Sequence, residues 1–115
     1  MKREAFKMYL KAGSEKEYQK RHSEIWPELV KLLKANGVSD YSIFWDKETN
    51  ILYAVQKNNG AGSQDMGENE IVKRWWDYMA DIMEVNPDNS PVSISLEEVF
   101  YICLLYTSPS PRDCS

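Results

Sequence analysis

Histidine is nearly missing from this chain: His22 is the only one among 115 residues. Cysteine is scarce as well, and both copies, Cys103 and Cys114, fall within the last thirteen positions. These shortages argue against a histidine- or cysteine-rich metal site and against a disulfide framework. Positive charge is in deficit, with 14 Lys and Arg against 18 Asp and Glu and a net charge of −4. No basic stripe with interleaved aromatics offsets it, which speaks against nucleic-acid binding. No apolar run reaches the roughly 18 residues of a membrane span. The opening Met1 to Phe6 enters charged sequence without a signal-peptide core, so the expected location is cytoplasmic. Gly60, Gly62 and Gly67 lack the strand–glycine–lysine–helix context of a phosphate loop. What remains is 43% hydrophobic and 28% charged, the balance of one ordinary folded domain.

The richest stretch is Tyr18-Gln-Lys-Arg-His-Ser-Glu-Ile-Trp-Pro27. Ser14 and Glu17 have capping-box spacing, which predicts a helix start there. Pro27 removes a backbone donor and clashes with the Ser23 carbonyl, so the helix must kink or restart after His22. Tyr18 and His22, at i and i+4, share one face of the first segment.

Before that helix, Phe6, Met8 and Leu10 alternate as a strand over 3–11. After it, Pro27 suits a first helical position, Leu29, Leu32 and Leu33 continue a helix, and Asn36-Gly37 stops it. Val38–Trp45 and Ile51–Gln56 read as a hairpin joined by Asp46–Asn50. Lys57–Asn69 is a long polar loop, either mobile or a lid. Ile71–Met83 reads as a second helix with Ile71, Trp75, Met79 and Ile82 as its apolar stripe. Asn86–Pro91 is a turn-rich connector, and Leu96–Tyr101 a fourth strand. The order is βαββαβ: an α+β, ferredoxin-like fold, a four-stranded antiparallel sheet with two helices on one face. Tyr41, Ile43 and Trp45 with Ile51, Tyr53 and Val55 are expected to make the opposite face apolar too. A second copy, sheet against sheet, is the economical cover and predicts a homodimer through that face. Residues 1–101 form the domain. The tail at 102–115 changes character abruptly and resembles translated cloning sequence or a disordered extension.

His22 is the acid–base candidate, because imidazole titrates near neutrality. It also reads as an ordinary surface residue between Arg21 and Ser23. Trp75 and Trp76 point about 100° apart on a helix, so one can enter the core while the other borders a cleft. Indole faces suit the C–H side of a sugar ring, although two core tryptophans fit the pattern equally. Tyr41 and Tyr53 could line a pocket or an interface. Glu15, Glu17, Glu24 and Glu28 read as a solvated helix face, and Glu97-Glu98 as alternating strand positions.

Taken together, Tyr18-x-x-Arg21-His22 running into Ile25-Trp-Pro-Glu28, Asp40-Tyr-Ser-Ile43, Lys73-Arg-Trp-Trp-x-Tyr-Met79, and Met83–Pro91 followed by Leu96–Tyr101 resemble the L-rhamnose mutarotase family over residues 3–101. The resemblance implies a ferredoxin-like fold paired as a dimeric α/β barrel, no cofactor, and interconversion of the α and β anomers of L-rhamnose. It further implies His22 as proton donor and Tyr18, Tyr41, Trp75 and Trp76 as substrate-binding residues. Two other functions suit such a barrel: a cofactor-independent or haem-degrading monooxygenase, and a non-catalytic sugar-binding module.

Overall fold

Alternation of apolar residues sets the first strand. In β1 (Lys2–Tyr9), Phe6 and Met8 are buried, and Leu10 just beyond it is buried too. The computed structural model describes residues 2–102 and Leu104, so the reading of Cys103, Cys114 and most of the tail lies outside the described residues. Gly13, at φ +78, turns the chain into α1 (Glu15–Ser23). The expected capping box does not form: Ser14 makes no side-chain cap, and Glu17 instead takes the Arg21 guanidinium at 2.8 Å. An ion pair one turn on competes for the carboxylate that the box requires. α1 ends at Ser23, and α2 (Pro27–Ala35) begins with Pro27 in its first turn, so the proline restarts the helix. The two segments replace the single first helix of the simplest ferredoxin-like arrangement.

β2 (Ser39–Asp46) and β3 (Ile51–Asn58) form the expected hairpin, closed by the Asn50 N–H donating to the Asp46 carbonyl at 2.9 Å. A 3₁₀ turn (Ser63–Asp65) follows, then α3 (Glu70–Met79), capped by Asn69 Oδ1 accepting from the Ile71 N–H at 2.9 Å. α3 is shorter than its periodicity implies. Lys11 N–H donates to the Ile82 carbonyl and Glu84 N–H to the Tyr9 carbonyl, both at 2.9 Å. Those bonds commit the backbone beyond the helix to the end of β1. The buried stripe is Val72, Trp75, Trp76 and Met79, with Ile71 only partly covered.

β4 (Ser93–Leu96) also comes earlier than expected, pairing with β1 from Met8↔Ser93 to Ala5↔Leu96. Glu97 and Glu98 therefore follow the strand, and Glu98 reaches Arg3 at 3.6 Å. The sheet order is β2-β3-β1-β4, every pair antiparallel, which is the split βαβ topology. The helices cover one face, over Phe6, Met8, Leu52 and Ala54.

One assignment of faces is corrected. Ile43 pairs with Ala54 and Trp45 with Leu52, so Tyr41, Ile43 and Trp45 lie toward the helices. Two local features set this register. The hairpin turn places Asp46 opposite Ile51, and a bulge makes the step from Ser39 to Ser42 span only Lys57 to Val55. The extra residue is accommodated by Asp40 at φ +48. The open face is still apolar, carrying Phe44 (62% exposed), Ile94, Leu96, Tyr53 and Val55.

Candidate active site

Helical spacing brings Tyr18 and His22 together, and burial fixes how they meet. Their rings stack at 4.2 Å with planes 27° apart. His22 Nδ1 lies 3.1 Å from the Tyr18 carbonyl, an atom that can only accept, so Nδ1 keeps its hydrogen and donates. Protons therefore come and go at Nε2, which has no partner among the described residues. Burial pushes the His22 pKa below its ordinary 6.5, more strongly than the Tyr18 carbonyl holds it up. The edge of Trp75 meets the imidazole at 5.4 Å and 87°, fixing its tilt.

Arg21 anchors this helix to the far end of α3. Its Nη1 donates to the Tyr78 carbonyl at 2.7 Å and to Asp81 Oδ1 at 2.8 Å, and Nη2 donates to Asp81 Oδ2 at 3.2 Å. The guanidinium also lies 4.5 Å from the centre of the Tyr78 ring. Hydrogen bonding to Asp81 raises the Arg21 pKa further and lowers that of Asp81.

Trp75 and Trp76 do not divide between core and cleft. Each is 8% exposed, and both belong to the core while lining one internal cavity. Trp26 braces them, edge-on to Trp75 at 5.1 Å and stacked on Tyr78 at 5.7 Å. Trp26 drew no notice in the sequence beyond its place before Pro27.

Tyr41 enters from the sheet, with its phenol 3.3 Å from Ser63 Oγ. Burial raises the Tyr41 pKa, and burial followed by the nearby Tyr41 raises that of Tyr18. Both phenols are neutral at ordinary pH. Tyr53, by contrast, faces away on the open side of β3. The long loop after β3 is a wall of the site. A Cβ on Gly67 would come within 2.9 Å of Trp76 Cζ3, and Ser63 lines the cavity. Ser63 and Gln56 escaped the sequence reading; the available signal was Gln56 and Asn58 continuing the inward series of Leu52 and Ala54.

Tyr18, His22, Tyr41, Trp75 and Trp76 thus surround one cavity of about 100 Å³, completed by Met8, Ile25, Met79 and other apolar side chains. Among the described residues no carboxylate, lysine or arginine lines it. A wider opening of about 700 Å³ shares Tyr18, His22 and Tyr41 and leads outward past Gln19, Lys34 and Asp40. Among the described residues no three His, Cys, Asp or Glu side chains gather as metal ligands. The arrangement offers one titrating nitrogen, two neutral phenols and flat indole surfaces. That set can hold a small polyhydroxylated ring and move a proton on it.

Comparison with known proteins agrees with this geometry. The family described as L-rhamnose mutarotase matches residues 3–102. The L-rhamnose mutarotase of Bacteroides thetaiotaomicron is 75% identical over 103 residues, covering 89% of this chain and 99% of the relative. That of Phocaeicola vulgatus is 71% identical with the same coverage. The crystal structure of an L-rhamnose mutarotase from Formosa agariphila superposes with a TM-score of 0.83 at 63% identity, covering 89% of this chain and 99% of that one. Fold, sequence and cavity converge, and the chain belongs to the L-rhamnose mutarotase family.

Proposed function

We propose that this protein is an isomerase that interconverts the α and β anomers of L-rhamnose, with His22 carrying the proton and Tyr18, Tyr41, Trp75 and Trp76 binding the sugar. The observation that carries the assignment of roles is the placement of His22 in a cavity walled by indoles and phenols, with no other group among the described residues there that titrates near neutrality. The family and its relatives supply the substrate.

Mutarotation needs only proton transfers. The anomeric hydroxyl gives up its proton, the C1–O5 bond breaks as C1=O1 forms, and O5 takes a proton. The aldehyde then rotates and recloses on its other face. O1 and O5 are both bonded to C1, so one imidazole nitrogen reaches either. His22 Nε2, resting neutral because burial disfavours the charged form, accepts from O1 and hands the proton on to O5 as the acid. The indoles hold the ring, and the apolar wall takes the C6 methyl, a preference of about 1–3 kcal/mol over a hydroxylated C6.

Supporting a homodimer, the open sheet face leaves Phe44, Ile94 and Leu96 exposed, and a second copy of this chain is the cover we assign to it. Supporting a cytoplasmic enzyme, no helix among the described residues is long and apolar enough to cross a membrane. The working domain is residues 1–101, with L-rhamnose as the only ligand and neither cofactor nor nucleic acid in its chemistry; the family match at 3–102 favours these limits.

Saturation-transfer NMR on L-rhamnose tests the reading. The protein is expected to accelerate exchange between the anomer signals, with the acceleration lost in His22→Ala. A non-catalytic binding module would bind the sugar while anomers exchanged no faster than in buffer, and that result would reject the proposal.

A further inference from the structure

Gln56 and Ser63 take no part in the chemistry above, yet they are deeply buried polar side chains, at 0% and 8% exposure. Such groups are held only where they find partners, and here each supplies the other. The Ser63 N–H can only donate and lies 2.9 Å from Gln56 Oε1, which identifies that atom as the amide oxygen. Gln56 Nε2 must then donate to Ser63 Oγ, 2.8 Å away. The hydroxyl hydrogen of Ser63 is directed in turn to the Tyr41 oxygen at 3.3 Å. The bonds run from amide to hydroxyl to phenol, with the backbone N–H fixing the amide end and the serine hydroxyl donating on to the phenol oxygen. A phenol oxygen that accepts from Ser63 keeps its own hydrogen, and no acceptor for it is found among the described residues. Tyr41 lines the inner cavity. The close approach of the loop depends on Gly62, where a Cβ would sit 2.8 Å from Gln56 Oε1.

We infer that Gln56 and Ser63 are positioning residues that hold Tyr41 as a fixed hydrogen-bond donor toward an oxygen of the bound sugar. The inference rests on the reading of this cavity as the sugar site. A donor of fixed polarity suits an oxygen that alternates between hydroxyl and carbonyl, because such an oxygen accepts in both the closed and the open form. It would equally disfavour a ligand presenting only a donor at that place.

The test measures KM and kcat by anomer exchange in Ser63→Ala, Ser63→Thr and Gln56→Glu, with Tyr41→Phe as reference. Ser63→Ala and Gln56→Glu are expected to raise KM about tenfold near pH 8, as Tyr41→Phe does, with a smaller change in kcat. Ser63→Thr keeps the hydroxyl and should restore most of the affinity. In Gln56→Glu the carboxylate accepts from Ser63 and reverses the chain, and acidification should rescue it relative to wild type, because a neutral acid donates again. A structural defect alone would show no such rescue. The ¹³Cζ resonance of Tyr41 gives a readout independent of turnover, and it should move in Ser63→Ala and return in Ser63→Thr. If that resonance moves while wild type fails to accelerate exchange, the functional reading falls and the relay stands. A resonance unmoved in Ser63→Ala, or a KM unchanged beside a large Tyr41→Phe effect, overturns the inference even if Gln56→Glu does not fold.

Discussion

Replacing Arg21 by alanine should separate the placement of His22 from its chemistry. The arginine has no atom in the inner cavity, but it ties the turn carrying His22 to the last turn of α3 through the Tyr78 carbonyl and Asp81. Its side chain is only 11% exposed, whereas Glu17 and Asp81 are 44% and 66% exposed and their pairing is screened by water. Discounted for that exposure, the i,i+4 pair, the forked Asp81 contact, the bond to the carbonyl and the stacking on Tyr78 together stabilise the fold by about 2–3 kcal/mol. For a domain of this size the loss should lower Tm by about 8–15 °C. Arg21→Lys keeps the charge but not the fork, and should recover less than half of it. Below the melting range kcat should fall about tenfold, because His22 loses its fixed approach to the sugar. Thermal unfolding followed by circular dichroism and anomer exchange at 20 °C give the two numbers. Melting within 3 °C of wild type would refute the energetic reasoning, and unchanged kcat at a lowered Tm would refute the link to His22.

The depressed His22 pKa fixes the sign of two pH effects. The kcat/KM profile should lose activity on an acid limb lying below pH 6.5, and stability should fall as pH drops from 6.5 through the folded-state value, because the unfolded chain binds the proton more tightly. His22→Gln should remove that slope from urea titrations; a limb above 6.5 would contradict the burial argument. In Gly67→Ala the new methyl must displace the Trp76 ring, so KM for L-rhamnose should rise severalfold with a stability loss of about 1–2 kcal/mol, read by NMR exchange and melting. Leu52→Ala, at 1% exposure beneath the site, should cost about 2–5 kcal/mol in denaturant unfolding.

Much of the fold was legible because its signals are local. Alternation found β1, the hairpin residues found β2 and β3, and Pro27 marked the break that ends the helix of His22. Helical spacing also brought Tyr18 to His22. Three things were not legible, two of them decided by contacts distant in sequence and one by the register of a hairpin. α3 stops early because residues 82–84 bond to residues 9–11. β4 ends at Leu96 opposite Ala5, although β1 runs on to Lys2, and Glu98 beyond it reaches Arg3 through its side chain. Tyr41 faces the helices because the hairpin register sets Ile43 and Trp45 opposite Ala54 and Leu52, which alternation alone does not reveal. Trp26, Gln56 and Ser63 were missed for the same reason, since their roles exist only once loop, strand and helices have met.

That single extra residue in β2 makes the segment from 39 to 42 sensitive to changes in length. Losing one amino acid there would leave an ordinary ladder, with Ser39 still opposite Lys57 and Ser42 opposite Val55, but the kink beside Tyr41 would go and its phenol would shift in the cavity. Substitution should be far better tolerated, and glycine or asparagine at Asp40 would adopt its left-handed backbone readily. The spacing of these four positions, more than their chemistry, is what a designed variant must preserve.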